Sequence, residues 1–318
     1  MIVATLTSPI ILFFMLGIFA GFARSDLAIP EAMAKAMAIY LMAAIGLKGG
    51  VEVSHSGITS GLVIAGACGI ALSLVIPVPA FALLRSFGGL DRTNAAAVAA
   101  HYGSVSLVTF ITAGEMLKSA GLPPAGFMVA VLAMMETPPI IAGLLLARRE
   151  RETGTSAQRS LWHEVLLNAS VVVLVGSFLI GMVAGDKGFT PIKPVFDGGY
   201  KGVLCLFLLD MGLIAARRLR ETRALTGRLA LLALLFPLVN GMIGVLLGTA
   251  AGLDTGTAAM LGVLAASASY IAVPAAMRLA LPEADPGIFL SMSLGITFPF
   301  NIVVGIPLYI TLARSLTT

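Results

Sequence analysis

Long uncharged stretches of apolar residues recur along the chain, each close to the length that crosses a membrane. An α-helix rises about 1.5 Å per residue, so about 20 residues span a hydrocarbon core of about 30 Å. Residues 62–84 are apolar on every side, whereas a barrel strand alternates apolar with polar residues. The pattern predicts an all-α membrane protein with about ten transmembrane helices. These spans one to ten cover residues 8–23, 30–52, 60–85, 92–117, 124–147, 163–185, 198–216, 227–251, 255–280 and 286–313.

The composition agrees with a chain that lies in lipid. Hydrophobic residues make up 58% of the 318 residues and charged residues only 11%, a balance that polar surface cannot cover in water. Arginines are concentrated after spans five and seven, and basic loops stay on the cytoplasmic side of a membrane. With ten spans, this rule places both termini outside the cytoplasm, in a bacterial plasma (inner) membrane. It also explains the basic loops without nucleic acid as a partner.

The two halves of the chain share short motifs. Gly89-Leu90-Asp91 precedes span four and Gly252-Leu253-Asp254 precedes span nine, and each motif is followed by an alanine-rich run with a polar interruption. Five spans are an odd number, so a second copy enters the membrane from the opposite side, as in many secondary transporters. We therefore expect two inverted five-helix repeats, over residues 1–147 and 162–318, with a cytoplasmic linker over residues 148–161. Chance recurrence of Gly, Ala and Leu is the alternative.

Polar residues interrupt spans four and nine near the middle of the membrane. Residues 101–109 form a dense polar stretch around Gly103, and in span nine Pro274 lacks an N–H and crowds the carbonyl near Tyr270. We predict two discontinuous helices that cross near the bilayer centre and leave backbone groups free at the breaks. Helix packing by small residues, with an ordinary proline kink, is the alternative.

Free backbone groups at two breaks predict an ion site. Two half-helix N-termini aimed at one point favour an anion, and nearby carbonyls and hydroxyls suit a hard cation such as Na⁺. Glu136 lies deep in span five and needs a partner there. It is a candidate Na⁺ ligand, a carrier of the coupling proton, or a carboxyl kept neutral by burial. The candidate Na⁺ ligands are Ser104, Ser106, Glu136, Ser267, Thr297 and Asn301.

Several other polar or aromatic residues lie in or near the spans. Lys48, His101 and Asp210 are candidates for gating or ion-pair contacts, and His101 is also a candidate for substrate binding, proton transfer or a simple bond to a carbonyl. The side chains near span ends are expected to anchor the protein at the membrane interface. These are Trp162, Tyr200 and Tyr309.

Long runs of residues match a known family. They cover residues 101–106, 108–110, 266–284 and 293–301. With these runs, the chain resembles the sodium-dependent bicarbonate transporters of the SbtA type over its whole length. The resemblance implies two inverted five-helix repeats, a core and a gate domain, and usually a homotrimer. It also implies uptake of bicarbonate with Na⁺ at crossing breaks in spans four and nine.

The resemblance further implies which residues bind bicarbonate. They are Gly103, Ser104, Val105, Ser106, Ser269, Tyr270 and Ile271. Cyanobacterial members are inhibited by a PII-like regulator at a longer linker, so the short linker here puts that partner in doubt. No zinc-protease or serine-hydrolase motif is present. We therefore predict a Na⁺-coupled bicarbonate transporter that needs no cofactor and is not an enzyme. A proton-coupled carrier of another small anion and an anion channel are the alternatives.

Overall fold

Helices fill the predicted spans throughout the described part of the chain. The computed structural model describes residues 9–57, 59–147, 169–221, 225–270 and 272–317, and these ranges contain no β-strand. The helices of the first half are α1 (Pro9–Phe22), α2 (Glu31–Ser56), α3 (Ser60–Val75), α4 (Pro77–Ser86), α5 (Arg92–Gly103), α6 (Leu107–Ser119), α7 (Met128–Met134) and α8 (Pro138–Ala147). The predicted linker, residues 148–161, lies outside the described residues, as do the first residues of span six.

The second half contains a similar succession of helices. They are α9 (Ala169–Phe189), α10 (Tyr200–Glu221), α11 (Gly227–Ala250), α12 (Thr255–Ala266), α13 (Ala272–Ala280), α14 (Pro286–Leu290), α15 (Phe298–Phe300) and α16 (Ile306–Thr317). Short helical turns at Thr190–Ile192 and Pro194–Gly198 lie between α9 and α10. Wider π-helical turns at Ser291–Thr297 and Asn301–Gly305 join α14, α15 and α16 into span ten.

Seven segments of the described chain are long and apolar enough to cross a membrane. They are Glu31–His55, Ser60–Ser86, Arg92–Ser119, Met128–Ala147, Val172–Ile192, Gly227–Ala250 and Pro286–Leu316. Helices α1 and α12 are apolar but shorter. The protein is thus a multi-pass α-helical membrane protein, and the count of ten crossings stays a prediction.

Matching turns begin the interrupted helices of the two halves. Gly89 and Gly252 both have a positive φ, 72° and 77°, which glycine adopts without strain. Asp91 and Asp254 then cap α5 and α12, each carboxylate accepting a 3.0 Å hydrogen bond from the backbone N–H three residues later. The equal geometry agrees with a repeated unit, while the inversion of that unit stays a prediction.

Two helices of the first half pack against two helices of the second half. Helix α1 contacts α10, α2 contacts α9, and α2 also contacts α10. Glycines allow the close approach: a methyl group added to Gly17 would lie 2.1 Å from the Leu209 carbonyl oxygen, and one on Gly50 would lie 2.0 Å from the Phe178 carbonyl oxygen. We call α1, α2, α9 and α10 the four-helix panel, and the remaining helices the core bundle.

The packing of α2 on α9 gives a test of the panel. We expect Gly50→Ala to lower stability by about 1–3 kcal/mol, because the added methyl group meets backbone that cannot move aside easily. Gly176→Ala on α9 is the control, since no atom of the described residues lies within 4 Å of its added methyl group. Thermal unfolding in detergent measures both variants, and equal midpoints would contradict this packing.

Aromatic rings connect the panel to the core bundle. Phe14 of α1 lies edge to face with Phe298 at 5.3 Å between ring centroids, and Phe298 has a similar contact with Tyr270 at 5.4 Å. Helix α10 also packs against the Ser291–Thr297 turn of span ten. The panel therefore reaches the interruption of span nine through a short chain of rings.

Candidate functional site

Span four is interrupted between α5 and α6, where the polar stretch predicted a break. Helix α5 ends at Gly103, and Ser104 and Ser106 then have extended backbones, with φ/ψ of −92°/177° and −109°/113°. The Ser106 hydroxyl caps α6 by accepting a 3.2 Å hydrogen bond from the Thr109 N–H. Gly103 allows close packing here, because a methyl group on it would lie 2.4 Å from the Pro77 ring.

Span nine is interrupted between α12 and α13. Helix α12 ends at Ala266, Ser267 has an extended backbone, and α13 begins at Ala272. Pro274 lies in the first turn of α13, where its missing N–H removes no helical hydrogen bond. The break is at the predicted place, but Pro274 starts the second half-helix and does not kink a continuous one. Ile271, a predicted bicarbonate ligand, lies outside the described residues.

The two interruptions are hydrogen-bonded to each other. The Ser269 N–H donates to the His101 carbonyl oxygen at 2.9 Å. The Ser106 N–H donates to the Ser267 hydroxyl at 3.0 Å, and that hydroxyl donates to the Leu264 carbonyl oxygen at 2.8 Å. These bonds are buried, so they fix the position of one break relative to the other.

Helices α6 and α13 both begin at the crossing of the two breaks. The first turn of a helix carries backbone N–H groups that no carbonyl four residues earlier can satisfy, and the helix dipole makes this end positive. Serine hydroxyls cap part of each turn: Ser106 accepts from Thr109, and Ser269 accepts from the Val273 N–H at 3.3 Å. Two positive ends with serine hydroxyls between them favour a small anion.

Two hydroxyls at the crossing are available to a ligand. Ser104 is 1% exposed, and its Oγ has no hydrogen-bond partner among the described residues. The buried Tyr270 hydroxyl faces Ser106 without a well-aligned hydrogen bond to a described residue. A buried polar group left unpaired costs about 1–3 kcal/mol. Both hydroxyls are therefore candidates for contact with a bound ion.

Glu136 lies in a third interruption, between α7 and α8 of span five. It is 6% exposed, and one carboxylate oxygen has no hydrogen-bond partner in the described chain. Helix α8 runs antiparallel to α5, because a methyl group on Gly143 would meet Ala100 and one on Gly103 would meet Pro139. Glu136 lies three residues before Pro139, just before the end of α8 that packs against Gly103.

Thr297 and Asn301, two predicted cation ligands, already make structural hydrogen bonds. Thr297 Oγ1 accepts from the Tyr102 hydroxyl and donates to the Ala233 carbonyl oxygen, both at 2.7 Å. Asn301 donates from Nδ2 to the Ala266 carbonyl oxygen at 2.8 Å, at the end of α12. Span ten is thereby fixed against both interruptions. A direct role of either side chain in Na⁺ binding stays a prediction.

His101 and Asp210 are buried and only partly satisfied. The Nδ1–H of His101 donates to the Ala97 carbonyl oxygen at 2.6 Å, because a carbonyl only accepts, and its ring stacks on Phe289 at 4.4 Å. Its Nε2 and one oxygen of Asp210 have no hydrogen-bond partner among the described residues. Asp210 belongs to α10 of the panel and takes no part in the hydrogen bonds described above that join the breaks.

Lys48 lies at one end of the panel. It forms an ion pair with Asp197 and lies over the Tyr200 ring, 4.5 Å from the centroid. The hydrogen bond from Lys48 lowers the pKa of Asp197. Asp197 belongs to the turn before α10, so the pair joins α2 to the connection between α9 and α10.

The prediction that Tyr200 and Tyr309 anchor the protein at the membrane interface is wrong. Tyr200 and Tyr309 are both buried, and the Tyr309 hydroxyl donates to the Pro237 carbonyl oxygen at 2.7 Å. Both lie near span ends in the sequence, but neighbouring helices cover their rings. Trp162 lies outside the described residues.

One comparison with known proteins identifies the family of this chain. A search of curated proteins finds no match to the chain. The family model described as the Na⁺-dependent bicarbonate transporter superfamily matches residues 9–314, which is nearly the whole chain. Membership of a transporter family means that the protein is not an enzyme. With its multi-pass helical fold and its crossed, interrupted helices, the chain belongs to the Na⁺-dependent bicarbonate transporter superfamily.

Proposed function

We propose that this chain is a secondary active transporter that takes up bicarbonate together with Na⁺. The observation that supports it best is the pair of interruptions joined by the Ser269–His101 and Ser106–Ser267 hydrogen bonds. The Ser104 hydroxyl beside them has no hydrogen-bond partner in the part of the chain that the structure describes. Bicarbonate is a small planar anion with three oxygens. It is suited to a site where N–H groups and hydroxyls approach from two half-helices.

Na⁺ binding explains why uptake would be coupled. Pro139 packs against Gly103, so Glu136 lies near the end of α5 where the first break begins, and its negative charge would oppose an anion held at the crossing. A Na⁺ ion bound by Glu136 and Ser104 would cancel that charge and raise the affinity for bicarbonate. The hydroxyl and carboxylate oxygens are ligands of the kind that hard cations take. The Ser106 hydroxyl oxygen already accepts from the Thr109 N–H and hydroxyl, so its free hydrogen is suited to bicarbonate, while Ser106 stays a further candidate Na⁺ ligand.

Alternating access would come from movement of the core bundle against the four-helix panel, as the gate domain. Two observations support two inverted repeats. Matching turns at Asp91 and Asp254 begin α5 and α12, and in the panel each helix of one half packs against a helix of the other half. The arginine distribution supports a bacterial inner membrane with both termini outside. The homotrimer is proposed on the family resemblance alone. A PII-like regulator is not part of the proposal, because the linker at residues 148–161 is short.

Uptake into proteoliposomes tests this function. Purified protein should take up radiolabelled bicarbonate with saturation when an inward Na⁺ gradient is applied, and an equal K⁺ gradient should drive little uptake. Liposomes without protein are the control. Uptake driven by a pH gradient and indifferent to Na⁺ would favour the proton-coupled alternative. Flux that does not saturate and follows the anion gradient alone would favour a channel.

A further inference from the structure

A charged cavity lies between the panel and the core bundle. Its volume is about 110 Å³, and Lys48 and Glu52 of α2 line it opposite Phe110, Glu115 and Lys118 of α6. A wider cavity of about 620 Å³ adjoins it, and Lys48, Glu52 and Lys118 line both. The arginine distribution puts this end of α6 on the outer side of the membrane, so we call the smaller cavity the outer cavity.

The outer cavity extends from this surface toward the crossing of the breaks. Phe110 lines its apolar part and lies one helical turn after Ser106, the residue that caps α6. Met260 of α12 lines the same part from the other interrupted span. The cavity therefore lies on a short path between the outer surface and the proposed ion site.

An ion pair at the outer cavity joins the two groups of helices. A carboxylate oxygen of Glu115, on α6 of the core bundle, lies 3.1 Å from the ammonium of Lys201, on α10 of the panel. The Glu115 side chain is only 7% exposed, whereas that of Lys201 is 67% exposed. A charge pair with one buried member is screened less by water than a fully exposed pair.

Glu115 also has a second cation on its own helix. Lys118 lies one turn later, with its ammonium 3.7 Å from the other carboxylate oxygen. If Lys201 moves away with the panel, Lys118 still compensates the buried carboxylate. Removing one partner of a buried ion pair is normally very unfavourable. The second cation therefore makes the contact with Lys201 reversible.

Helix α6 connects this ion pair to the proposed site. Its 13 residues run from Leu107, beside the break, to Ser119 at the outer end. Glu115 lies about 12 Å along the axis from Leu107, at about 1.5 Å per residue. A displacement of α6 relative to α10 thus moves both the ion pair and one half of the crossing.

We propose that the Glu115–Lys201 ion pair is an outer latch, which holds α6 against α10 and closes the outer access route to the crossing. This inference rests on the proposed transport function, because a latch has a role only if the two groups of helices move. Lys48, its partner Asp197 and the adjacent Tyr200 hold the start of α10, and so place Lys201. The latch opens when Lys201 moves away from Glu115, while Lys118 stays paired with Glu115.

Thiol labelling from outside tests the latch without measuring transport. Gly114 lines the outer cavity, and among the described residues a methyl group on it would meet only Met260, at 3.7 Å, so we expect Gly114→Cys to be tolerated. Cys68→Ala and Cys205→Ala remove the cysteines of the described chain. In right-side-out vesicles, Lys201→Gln should raise the labelling rate by a membrane-impermeant thiol reagent about fivefold or more. Lys35→Gln should leave the rate unchanged, because Lys35 pairs with Glu31 on the surface of one helix.

Exchanging the two charges of the ion pair distinguishes loss of the pair from a folding defect. Glu115→Lys combined with Lys201→Glu should return the labelling rate to that of the parent, whereas Glu115→Lys alone should raise it. Equal rates in Lys201→Gln and Lys35→Gln, or no restoration by the exchange, would overturn the latch. Bicarbonate uptake by the parent protein is measured in parallel. Absence of uptake with the expected labelling pattern would refute the proposed function and leave the latch in place.

Discussion

Ser104→Ala is expected to raise the KM for bicarbonate about 10- to 100-fold, with a stability equal to that of the parent protein. The Ser104 hydroxyl is buried at the crossing and has no hydrogen-bond partner in the described chain, so its removal leaves no protein group unpaired. A lost hydrogen bond to a charged ligand costs about 1.5–3 kcal/mol, and about 1.4 kcal/mol corresponds to a factor of ten. Uptake kinetics in proteoliposomes and thermal unfolding in detergent measure the two quantities.

Ser267→Ala is the matched control for this prediction. Its hydroxyl bonds to both the Ser106 N–H and the Leu264 carbonyl oxygen. Removing it therefore leaves the buried Ser106 N–H unpaired and should lower the unfolding midpoint. A parent-like KM in Ser104→Ala would contradict a role in anion binding. A lowered midpoint in that variant would mean that the hydroxyl is structural.

The positions of the helices follow from the sequence because apolar length is a direct consequence of the membrane's thickness. The predicted start of span four at residue 92 and of span eight at residue 227 coincide with the starts of α5 and α11. The capping aspartates Asp91 and Asp254 stand at such boundaries. The interruptions of spans four and nine were also predictable, since a cluster of polar residues within an apolar span needs a special environment.

Contacts between spans could not be predicted from the sequence, because they depend on how helices that are far apart in the chain pack together. The Glu115–Lys201 pair joins residues 86 positions apart, and nothing in either local pattern marks the other as a partner. Tyr309 has the sequence position of an interface anchor, yet its ring is covered by a neighbouring helix. The hydrogen bonds of Thr297 to Ala233 and of Asn301 to Ala266 likewise join distant helices, and no local pattern predicts them.

The break at Glu136 shows how local chemistry and packing combine. Pro138 and Pro139 remove two N–H groups, so α8 has to begin there, and Glu136 falls in the gap. Pro139 then packs against Gly103, which places Glu136 near the end of α5. The sequence identifies the residue and its depth. Its position near the first break depends on the packing of α8 on α5.

Glu136→Gln is expected to raise the KM for Na⁺ by about 10- to 100-fold, with a smaller effect on expression and folding. The amide keeps the size and one oxygen but removes the negative charge, and an interaction with a charged group is worth about 1.5–3 kcal/mol. Asp210→Asn is the control, because it neutralises another buried carboxyl, in the panel. It should leave the KM for Na⁺ near that of the parent. If Glu136→Gln keeps a parent-like Na⁺ dependence but loses uptake driven by a pH gradient, Glu136 carries a proton and the proton-coupled alternative is favoured.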